Sequence, residues 1–356
     1  MTDAKKLLLE FKQKVDPMLD AFFERVIAEN KDVDKNITDA IKYARKITMS
    51  GGKRARAAFV YYGYISAGGK ERKKIIQASI SIELIHSFLL MHDDIIDKDS
   101  LRHGVKTTHI HYSEMAKKYF KNKDQIHFGN SMAIIIGDML NSLGNRALFE
   151  SKFSPELIIK ALHRMQDIVS STIIGETEDV MIENYGKATE AEIINMYKNK
   201  TAKYTIEGPL HLGAILAGAD QKFLRMLSAY SIPAGIAFQI QDDILGVFGN
   251  INKTGKPVGS DVRQGKQTLL VVKALENANS AQKEILRKCL GNDSLTQNDL
   301  NQFRIVITET GSLEYAQKLA QKLISEAKQK IDRVAITEES KYFLVGIADY
   351  MLNREV

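Results

Sequence analysis

The sequence predicts an all-α protein, and three observations lead to this fold class. Apolar residues recur at steps of three and four along most of the 356 residues, which is the period of a helix face. Strand-like alternation of apolar and polar residues is nearly absent. The chain contains only 5 prolines, so few helices are interrupted. The clearest periodic segments span residues 4–29, 71–97, 155–183, 190–217, 221–248 and 311–332.

Short glycine-rich or polar stretches separate these segments and predict loops between helices. They are SGGK, SAGGKE, RHGVK, NYGKAT, NINKTGKPVGSD and GNDSL. None has the composition of a domain linker, and many long helices favour one large bundle with a shared core. We therefore expect residues 1–356 to form a single domain.

The composition restricts the class of protein. Apolar residues make up 44% of the chain and charged residues 26%, as in a globular rather than a disordered protein. The net charge is +6, but the basic residues are spread along amphipathic stretches. This charge fits an anionic small-molecule substrate, and we do not expect nucleic acid as a partner.

The same composition predicts a cytoplasmic location. The single cysteine, Cys289, cannot form an internal disulfide, so the chain does not need an oxidising compartment. The N-terminal residues lack an apolar stretch of signal-peptide length. Other apolar runs are too short and too interrupted to cross a bilayer, so we expect no stable membrane anchor.

Two aspartate pairs, each at the end of an apolar helical segment, are the most informative feature of the chain. The first lies in FLLMHDDIID and includes Asp93 and Asp97, and the second is Asp242 and Asp243 in AFQIQDDILGVFG. Asp93 and Asp97 are one helical turn apart, so both can reach the same cation. Hard carboxylate oxygens suit Mg²⁺, which shares its coordination sphere with substrate phosphates. A solvated helix end would explain one such motif, but a second matched motif weakens that explanation.

Cationic side chains recur beside both acidic motifs. Diphosphate recognition requires direct Lys or Arg donors in addition to metal ions. Each cation alone is more often a surface charge, but their recurrence next to both motifs favours an anion site. The residues are Lys53, Arg56, Arg102, Lys200 with Thr201 where a helical stretch is interrupted, Lys256 and Lys266, and His86 lies two turns before Asp93 on nearly the same side of the helix.

In this order the motifs resemble those of the trans-isoprenyl diphosphate synthases of the polyprenyl synthetase family, and in particular the archaeal-type geranylgeranyl diphosphate synthases. The resemblance implies the isoprenoid synthase fold, a helical bundle around a deep central cavity, and usually a homodimer. It rests on GGKRAR, Asp93-Asp94-Ile-Ile-Asp97, Arg102 with Gly104, Gly137-Asp138, Gly175 with Asp179, Lys200-Thr201, Phe238-Gln239, Asp242-Asp243, Lys256, Gly259-Ser260-Asp261 and Lys266.

The resemblance also implies an activity, a cofactor and a role for each matched residue. The activity is Mg²⁺-dependent condensation of isopentenyl diphosphate with dimethylallyl, geranyl or farnesyl diphosphate by ionisation, condensation and elimination. Three Mg²⁺ ions per active site, replaceable by Mn²⁺, are implied. Their ligands would be Asp93, Asp97, Asp179, Asp242 and Asp243. The donors to the allylic diphosphate would be Arg102, Lys200 and Lys266, with Lys256, Thr201 and Gln239 beside them, and isopentenyl diphosphate would bind Lys53, Arg56, His86 and His103.

Product length is expected to depend on the residues just before the first acidic motif. In the family, bulky side chains there close the floor of the cavity, and this chain has Phe88 and Leu89. The resemblance favours Phe88, although an ideal helix would aim Leu89 more squarely along the pocket. We expect a twenty-carbon product, with fifteen or twenty-five carbons as alternatives.

Several positions depart from the family pattern, and three of them concern the expected site. His103 replaces a usual second arginine, and it carries a full charge only below about pH 6.5. Glu176 replaces a glutamine and adds a carboxylate near the expected metal ligands. Gly246 removes the third acid of the second motif.

Two other functions on the same framework are less favoured. A non-catalytic regulatory subunit would typically lack one acidic motif, whereas this chain keeps both. A terpene cyclase would usually replace the second motif and would lack the isopentenyl diphosphate site.

Overall fold

The computed structural model describes residues 3–120, 124–249 and 259–352, and these residues are almost entirely helical. The predicted all-α fold is confirmed. The first helices are α1 (Asp3–Asn30), α2 (Lys35–Met49), α3 (Ala55–Ser66), α4 (Arg72–Ile96), α5 (Thr108–Tyr119) and α6 (Gln125–Phe149). The later elements are α7 (Pro155–Tyr185), α8 (Glu190–Tyr197), a π-helical segment (Lys198–Glu207), α9 (Gly208–Leu216), α10 (Gln221–Phe248), α11 (Ser260–Gln264), α12 (Leu269–Asn277), α13 (Ser280–Cys289), α14 (Gln297–Glu309), α15 (Ser312–Asp332) and α16 (Glu338–Leu352).

The helix boundaries agree closely with the periodic segments. Helices α1, α4, α7, α10 and α15 begin and end within two residues of the predicted segments. The prediction for 190–217 was incomplete, because α8 and α9 are joined by the π-helical segment. Lys200 and Thr201 therefore lie in a wider type of helix and do not interrupt the helical stretch.

One predicted loop forms a small hairpin. Strands β1 (Leu101–Arg102) and β2 (Val105–Lys106) pair antiparallel across a two-residue turn. His103 and Gly104 form the turn with φ of +50° and +78°, the left-handed conformation that type I′ turns require. The hairpin follows α4 and carries Arg102 on its first strand. The predicted loop NINKTGKPVGSD lies largely outside the described residues.

The contacts divide the chain into two compact units. The first contains Lys5–Leu162 and Leu212–Gly218, and the second contains His163–His211 and the described residues from Ala219 onward. Within the first unit, α4 packs on α3 and α6, and α6 also packs on α5. Within the second unit, α10 packs on the π-helical segment, α15 and α16.

The π-helical segment lies against two glycines that allow a close backbone approach. A Cβ atom on Gly175 of α7 would lie 2.3 Å from the Lys200 nitrogen, and one on Gly235 of α10 would lie 2.4 Å from Ala202 Cα. Any larger residue at either position would displace the segment. These two contacts fix the backbone that presents Lys200 and Thr201.

Helix α4 has the length and hydropathy of a membrane span, and it is the one such helix in the described part of the chain. However, 72% of the most apolar 18-residue stretch of this helix is buried inside the protein. Its apolar residues therefore serve the core of the first unit, which includes Ile82, Leu84, Ile85 and Met91.

Candidate active site

The first acidic motif lies at the C-terminal end of α4, where the chain closes the helix. The Asp99 amide donates to the Asp94 carbonyl and the Lys98 amide to the Ile95 carbonyl, with Lys98 at φ +55°. This is the Schellman arrangement that satisfies carbonyls at a helix end. Asp93 and Asp97 are one turn apart, as expected, because the Asp97 amide donates to the Asp93 carbonyl at 2.8 Å.

The adjacent aspartates of this motif have different environments. The Asp93 side chain is 23% exposed, whereas that of Asp94 is 1% exposed. Burial raises the pKa of Asp94 to about 6, although the charge of Arg102 opposes this change. Asp93 is therefore presented at the surface of the unit, and Asp94 points into it.

Arg102, an expected diphosphate donor, is held by acidic side chains at the base of the hairpin. Its Nε donates to Asp94 Oδ1 at 2.7 Å, and a second nitrogen also contacts Asp94. The same nitrogen lies 3.4 Å from Asp99 Oδ2 and 3.7 Å from Asp93 Oδ2. The sequence motifs gave Asp94 no role in this pairing, and only the fold brings it to Arg102.

The expected isopentenyl diphosphate residues are partly brought together in the first unit. Arg56 Nη1 lies 3.1 Å from His86 Nε2, and Lys53 lies exposed just before α3. Loss of solvation lowers the pKa of His86 well below its ordinary value, and the charge of Arg56 acts in the same direction. His86 is therefore neutral at neutral pH, and Arg56 supplies the positive charge of this pair.

His103 lies at the exposed tip of the hairpin, beside the segment that precedes α3. A Cβ atom on Gly51 would lie 2.5 Å from the His103 ring, so the imidazole covers this glycine. Partial desolvation and the nearby charges of Arg102 and Arg54 lower the pKa of His103. His103 is therefore less readily protonated in the free protein than an ordinary histidine.

The neighbouring Arg54 was not among the expected site residues, and its contacts explain why it is buried. Its Nε donates to Asp16 at 2.7 Å, and its Nη2 donates to the Thr48 carbonyl at 2.9 Å. Glu83, 3% exposed, lies 3.4 Å from Arg54 and accepts from the Ala57 amide at the start of α3. Arg54 and Glu83 thus fix the start of the helix that carries Arg56.

The two candidates for the chain-length residue differ in burial. Phe88 is 6% exposed, and its ring stands edge-to-face on His92 with ring centres 4.9 Å apart. Leu89 is only partly buried. Phe88 therefore lies inside the first unit, one and a half turns before Asp93.

In the second unit, Asp179 lies between two of the expected diphosphate donors. Lys200 Nζ is 2.6 Å and Lys266 Nζ is 3.3 Å from Asp179 Oδ2. Burial alone would raise the pKa of Asp179, but the two lysines hold it below its ordinary value. Glu176, the departure from the family pattern, also pairs with Lys200 at 2.7 Å. Lys200 is thus shared between two carboxylates.

Asp243 is 5% exposed, and two neutral side chains hold its carboxylate. The Tyr197 hydroxyl donates to Oδ2, and Gln239 Nε2 donates to Oδ1 at 2.8 Å. Gln239 in turn accepts a hydrogen bond from Thr201 at 2.6 Å. Burial raises the pKa of Asp243 well above its ordinary range, although both hydrogen bonds oppose this change.

The position that lacks the third acid of the second motif faces another aspartate. A Cβ atom on Gly246 would lie 2.4 Å from Asp261 Oδ2, so the Asp261 carboxylate fills the space of a larger residue there. Asp242 is more exposed than Asp243. Lys256, another expected diphosphate ligand, lies outside the described residues.

The donor set fits the divalent ion that the motifs imply. Within 3–120, 124–249 and 259–352, no group of three or more His, Cys, Asp or Glu side chains is assembled to hold a metal. Mg²⁺ in proteins usually binds through one or two carboxylates, together with water and substrate phosphates. Asp93 with Asp97, and Asp242 with its acidic neighbours, supply oxygen donors of this kind.

Comparison with known proteins identifies the family. The sequence profile of the polyprenyl synthetase family matches residues 36–306. The geranylfarnesyl diphosphate synthase of Aeropyrum pernix is 34% identical over 86% of this chain and 92% of its own length. The geranylgeranyl diphosphate synthase of Sulfolobus acidocaldarius is 32% identical over 89% and 92%.

The fold agrees with this match. The crystal structure of geranylgeranyl pyrophosphate synthase from Corynebacterium glutamicum, complexed with isoprenyl diphosphate and magnesium, has a TM-score of 0.92 and 30% identity, covering 97% of this chain and 99% of that one. The described residues have the all-α fold of the isoprenyl diphosphate synthases. The chain belongs to the polyprenyl synthetase family.

Proposed function

We propose that this protein is a trans-prenyltransferase that condenses isopentenyl diphosphate with an allylic diphosphate and forms geranylgeranyl diphosphate. Membership of the family supports the reaction. The observation that carries the proposal is the cluster of Asp179 with Lys200 and Lys266, in which a carboxylate and two cations lie within hydrogen-bonding distance. Such a cluster suits a metal-bound diphosphate, because the anion can bind both lysines while the carboxylate binds the metal.

Each unit contributes its own residues to the proposed metal and diphosphate binding. In the first unit, Asp93 and Asp97 would hold Mg²⁺ and Arg102 would donate to the diphosphate. In the second unit, Asp179, Asp242 and Asp243 would hold Mg²⁺, and Lys200 and Lys266 would donate, with Thr201 and Gln239 nearby. Lys256, which lies outside the described residues, is proposed as a further donor from the family resemblance alone. Bound Mg²⁺ would supply charge stabilisation as the diphosphate leaves.

The protein's own side chains would bind and orient the substrates. In the second unit, Lys200 and Lys266 now pair with carboxylates, and an incoming diphosphate would take over these hydrogen bonds. In the first unit, Arg102 pairs with Asp94 and is also proposed as a diphosphate donor. Lys53, Arg56, neutral His86 and His103 would hold isopentenyl diphosphate. The carbon–oxygen bond breaks, a carbon–carbon bond forms, and the released diphosphate accepts the proton. No protein nucleophile takes part, so catalysis depends on electrostatics and positioning.

The direct test is an incubation with radiolabelled isopentenyl diphosphate, Mg²⁺ and each allylic primer in turn. Transfer of the label into longer diphosphates is the expected result. A cyclic product formed without isopentenyl diphosphate would instead indicate a terpene cyclase. Absence of any turnover by the folded protein would favour a regulatory subunit. A chelator should abolish the transfer, and Mg²⁺ or Mn²⁺ should restore it, with three ions bound per site at saturation.

The product length is proposed to depend on Phe88. Phe88 is buried and lies five residues before Asp93 in the sequence, so its ring would limit the growing chain. Phe88→Ala should lengthen the product, as measured by chromatography of the dephosphorylated alcohols. Phe153→Ala is the matched control, because Phe153 is 7% exposed and lies in the same unit away from the motif. An unchanged product in Phe88→Ala would exclude Phe88 and leave Leu89 as the candidate. Chromatography of the wild-type product decides between twenty carbons and the alternatives of fifteen or twenty-five.

We also propose that the protein is a cytoplasmic homodimer. Each chain is proposed to form a single domain. Helix α6 carries three exposed isoleucines, Ile126, Ile134 and Ile135, and exposed apolar surface of this kind is typical of subunit contacts. Light scattering should give twice the mass of 40.0 kDa. Ile135→Lys should shift the protein toward the monomer, and an unchanged mass would exclude this part of α6 as the contact.

A further inference from the structure

Tyr197 is a fully buried residue that the sequence motifs did not single out. It is the last residue of α8, directly before the π-helical segment. Its hydroxyl donates a hydrogen bond to Asp243 and accepts one from the Leu269 amide at 2.9 Å. The same oxygen atom therefore contacts α10 and the first residue of α12.

Each segment that meets at this hydroxyl carries residues with a proposed role in binding. The π-helical segment presents Lys200 and Thr201 within four residues of Tyr197. Helix α10 presents Gln239 and Asp243, and the loop before Leu269 presents Lys266. A shift of the tyrosine would thus be transmitted to all of these side chains.

The hydrogen bonds around Tyr197 form one continuous chain. Thr201 donates to Gln239, Gln239 donates to Asp243, Tyr197 donates to Asp243, and the Leu269 amide donates to Tyr197. A phenol can donate and accept at the same oxygen, which phenylalanine cannot do. Connected buried networks of this kind favour a single arrangement of their members, since each unpaired group would lose free energy.

We propose that Tyr197 is a positioning residue for the Mg²⁺- and diphosphate-binding side chains of the second unit. Its hydroxyl holds the Asp243 carboxylate and the start of α12 in one arrangement, so that Thr201, Gln239 and Lys266 are in place before the substrate arrives. Tyr197 itself touches neither substrate nor metal in this role. The inference rests on the proposed function and adds a residue to it.

The matched pair of variants is Tyr197→Phe and Tyr230→Phe. Tyr230 is also fully buried in the second unit, and its hydroxyl makes one hydrogen bond, to the Leu344 carbonyl at 2.7 Å. Tyr197→Phe should lower kcat by about 10- to 100-fold, the usual cost of a displacement near 1 Å in a catalytic site. The KM for isopentenyl diphosphate should stay within about 2-fold, because its proposed ligands belong to the first unit. Tyr230→Phe should keep both constants within about 2-fold of wild type.

A binding measurement separates positioning from activity. Mg²⁺ with inorganic pyrophosphate should raise the Tm of wild type and of Tyr230→Phe equally, whereas Tyr197→Phe should lose most of this rise. Equal rises and equal kcat values in the three proteins would overturn the inference. Wild-type protein that binds pyrophosphate but transfers no label would reject the proposed function, and the Tm comparison would still decide the role of Tyr197.

Hydrogen exchange on wild-type protein covers the case in which Tyr197→Phe does not fold. If Tyr197 couples α12 to the binding residues, Mg²⁺ and pyrophosphate should slow exchange of the Leu269 amide. Peptides around Leu344 in α16 serve as the control and should not change. An unaltered exchange rate at Leu269 would contradict the inference.

Discussion

The two acidic motifs have the same pair of aspartates, but the buried carboxylate of each pair has different partners. In each pair the first aspartate is partly exposed and the second is buried, Asp94 at 1% and Asp243 at 5% exposure. Asp94 forms an ion pair with Arg102, whereas Asp243 accepts hydrogen bonds from the neutral side chains of Tyr197 and Gln239. The comparison teaches that an identical dipeptide can anchor either a cation or a network of neutral donors, depending on what the fold places opposite it.

The first way to break this comparison is to remove the charge of Asp94. Asp94→Asn leaves the guanidinium of Arg102 buried with weaker partners, and loss of one member of a buried pair should cost about 3 kcal/mol of unfolding free energy. Urea denaturation measures the change. Asp99→Asn is the control, since Asp99 touches Arg102 only at 3.4 Å and should cost about 1 kcal/mol. Equal losses in both variants would contradict the anchoring role of Asp94.

The matching change in the second motif is Asp243→Asn. It strands no cation, so the cost should be smaller, about 1 to 2 kcal/mol from weakened buried hydrogen bonds. Thr201 donates to the Gln239 side-chain oxygen and so keeps the Gln239 side-chain nitrogen directed at residue 243. The oxygen of the new asparagine could accept from that nitrogen, but its own amide nitrogen could not. The same urea measurement tests it. A loss as large as that of Asp94→Asn would mean that the motifs are not anchored differently.

Glu176→Gln sharpens the comparison by changing how many carboxylates share Lys200. The partly exposed Glu176–Lys200 pair competes with substrate, and its removal should lower the KM for the allylic diphosphate by up to about 5-fold, the effect expected of about 1 kcal/mol. Steady-state kinetics gives the value. Glu183→Gln makes the matched change at Lys266, with its longer separation of 3.2 Å, and should have a smaller effect. A higher KM in Glu176→Gln would show that Glu176 assists binding.

The smallest expected effect concerns the charge at the hairpin tip. The pKa of His103 is lowered, so the imidazole is protonated only on the acid side of its ordinary value and loses its charge as the pH rises. The wild-type KM for isopentenyl diphosphate should therefore increase as the pH rises toward 6.5 and change little from there to pH 8. His103→Arg stays charged and should give a lower KM with a weaker pH dependence, by about 2- to 5-fold at pH 8. Ionisation of the substrate affects both proteins equally, so identical pH profiles would exclude a role for this charge.

Much of the fold was predictable because helical periodicity depends on the local sequence. The boundaries of α4 and α10, which carry the acidic motifs in their C-terminal parts, agree with the predicted segments. The one-turn spacing of Asp93 and Asp97 also follows from local sequence. The membership of the family, inferred from the ordered motifs, is confirmed.

The partners of the buried groups could not be predicted, because they depend on contacts between distant segments. Asp94 with Arg102 is such a contact, and so is Tyr197 with Asp243, 46 residues later in the chain. One signal was present, since Tyr197 lies one helical turn before Thr201 in MYKNKTAKY. The hairpin also had a signal in His103-Gly104, because histidine and glycine both tolerate the left-handed turn.

The π-helical segment has a consequence for how the chain tolerates changes in length. Each turn of such a helix accommodates one more residue than an α-helical turn. Deleting one residue between Lys198 and Glu207 could restore an ordinary α-helix and keep α8 and α9 continuous, while rotating Lys200 and Thr201 away from their present directions. Such a deletion would thus leave this region folded while removing the directions in which Lys200 and Thr201 act.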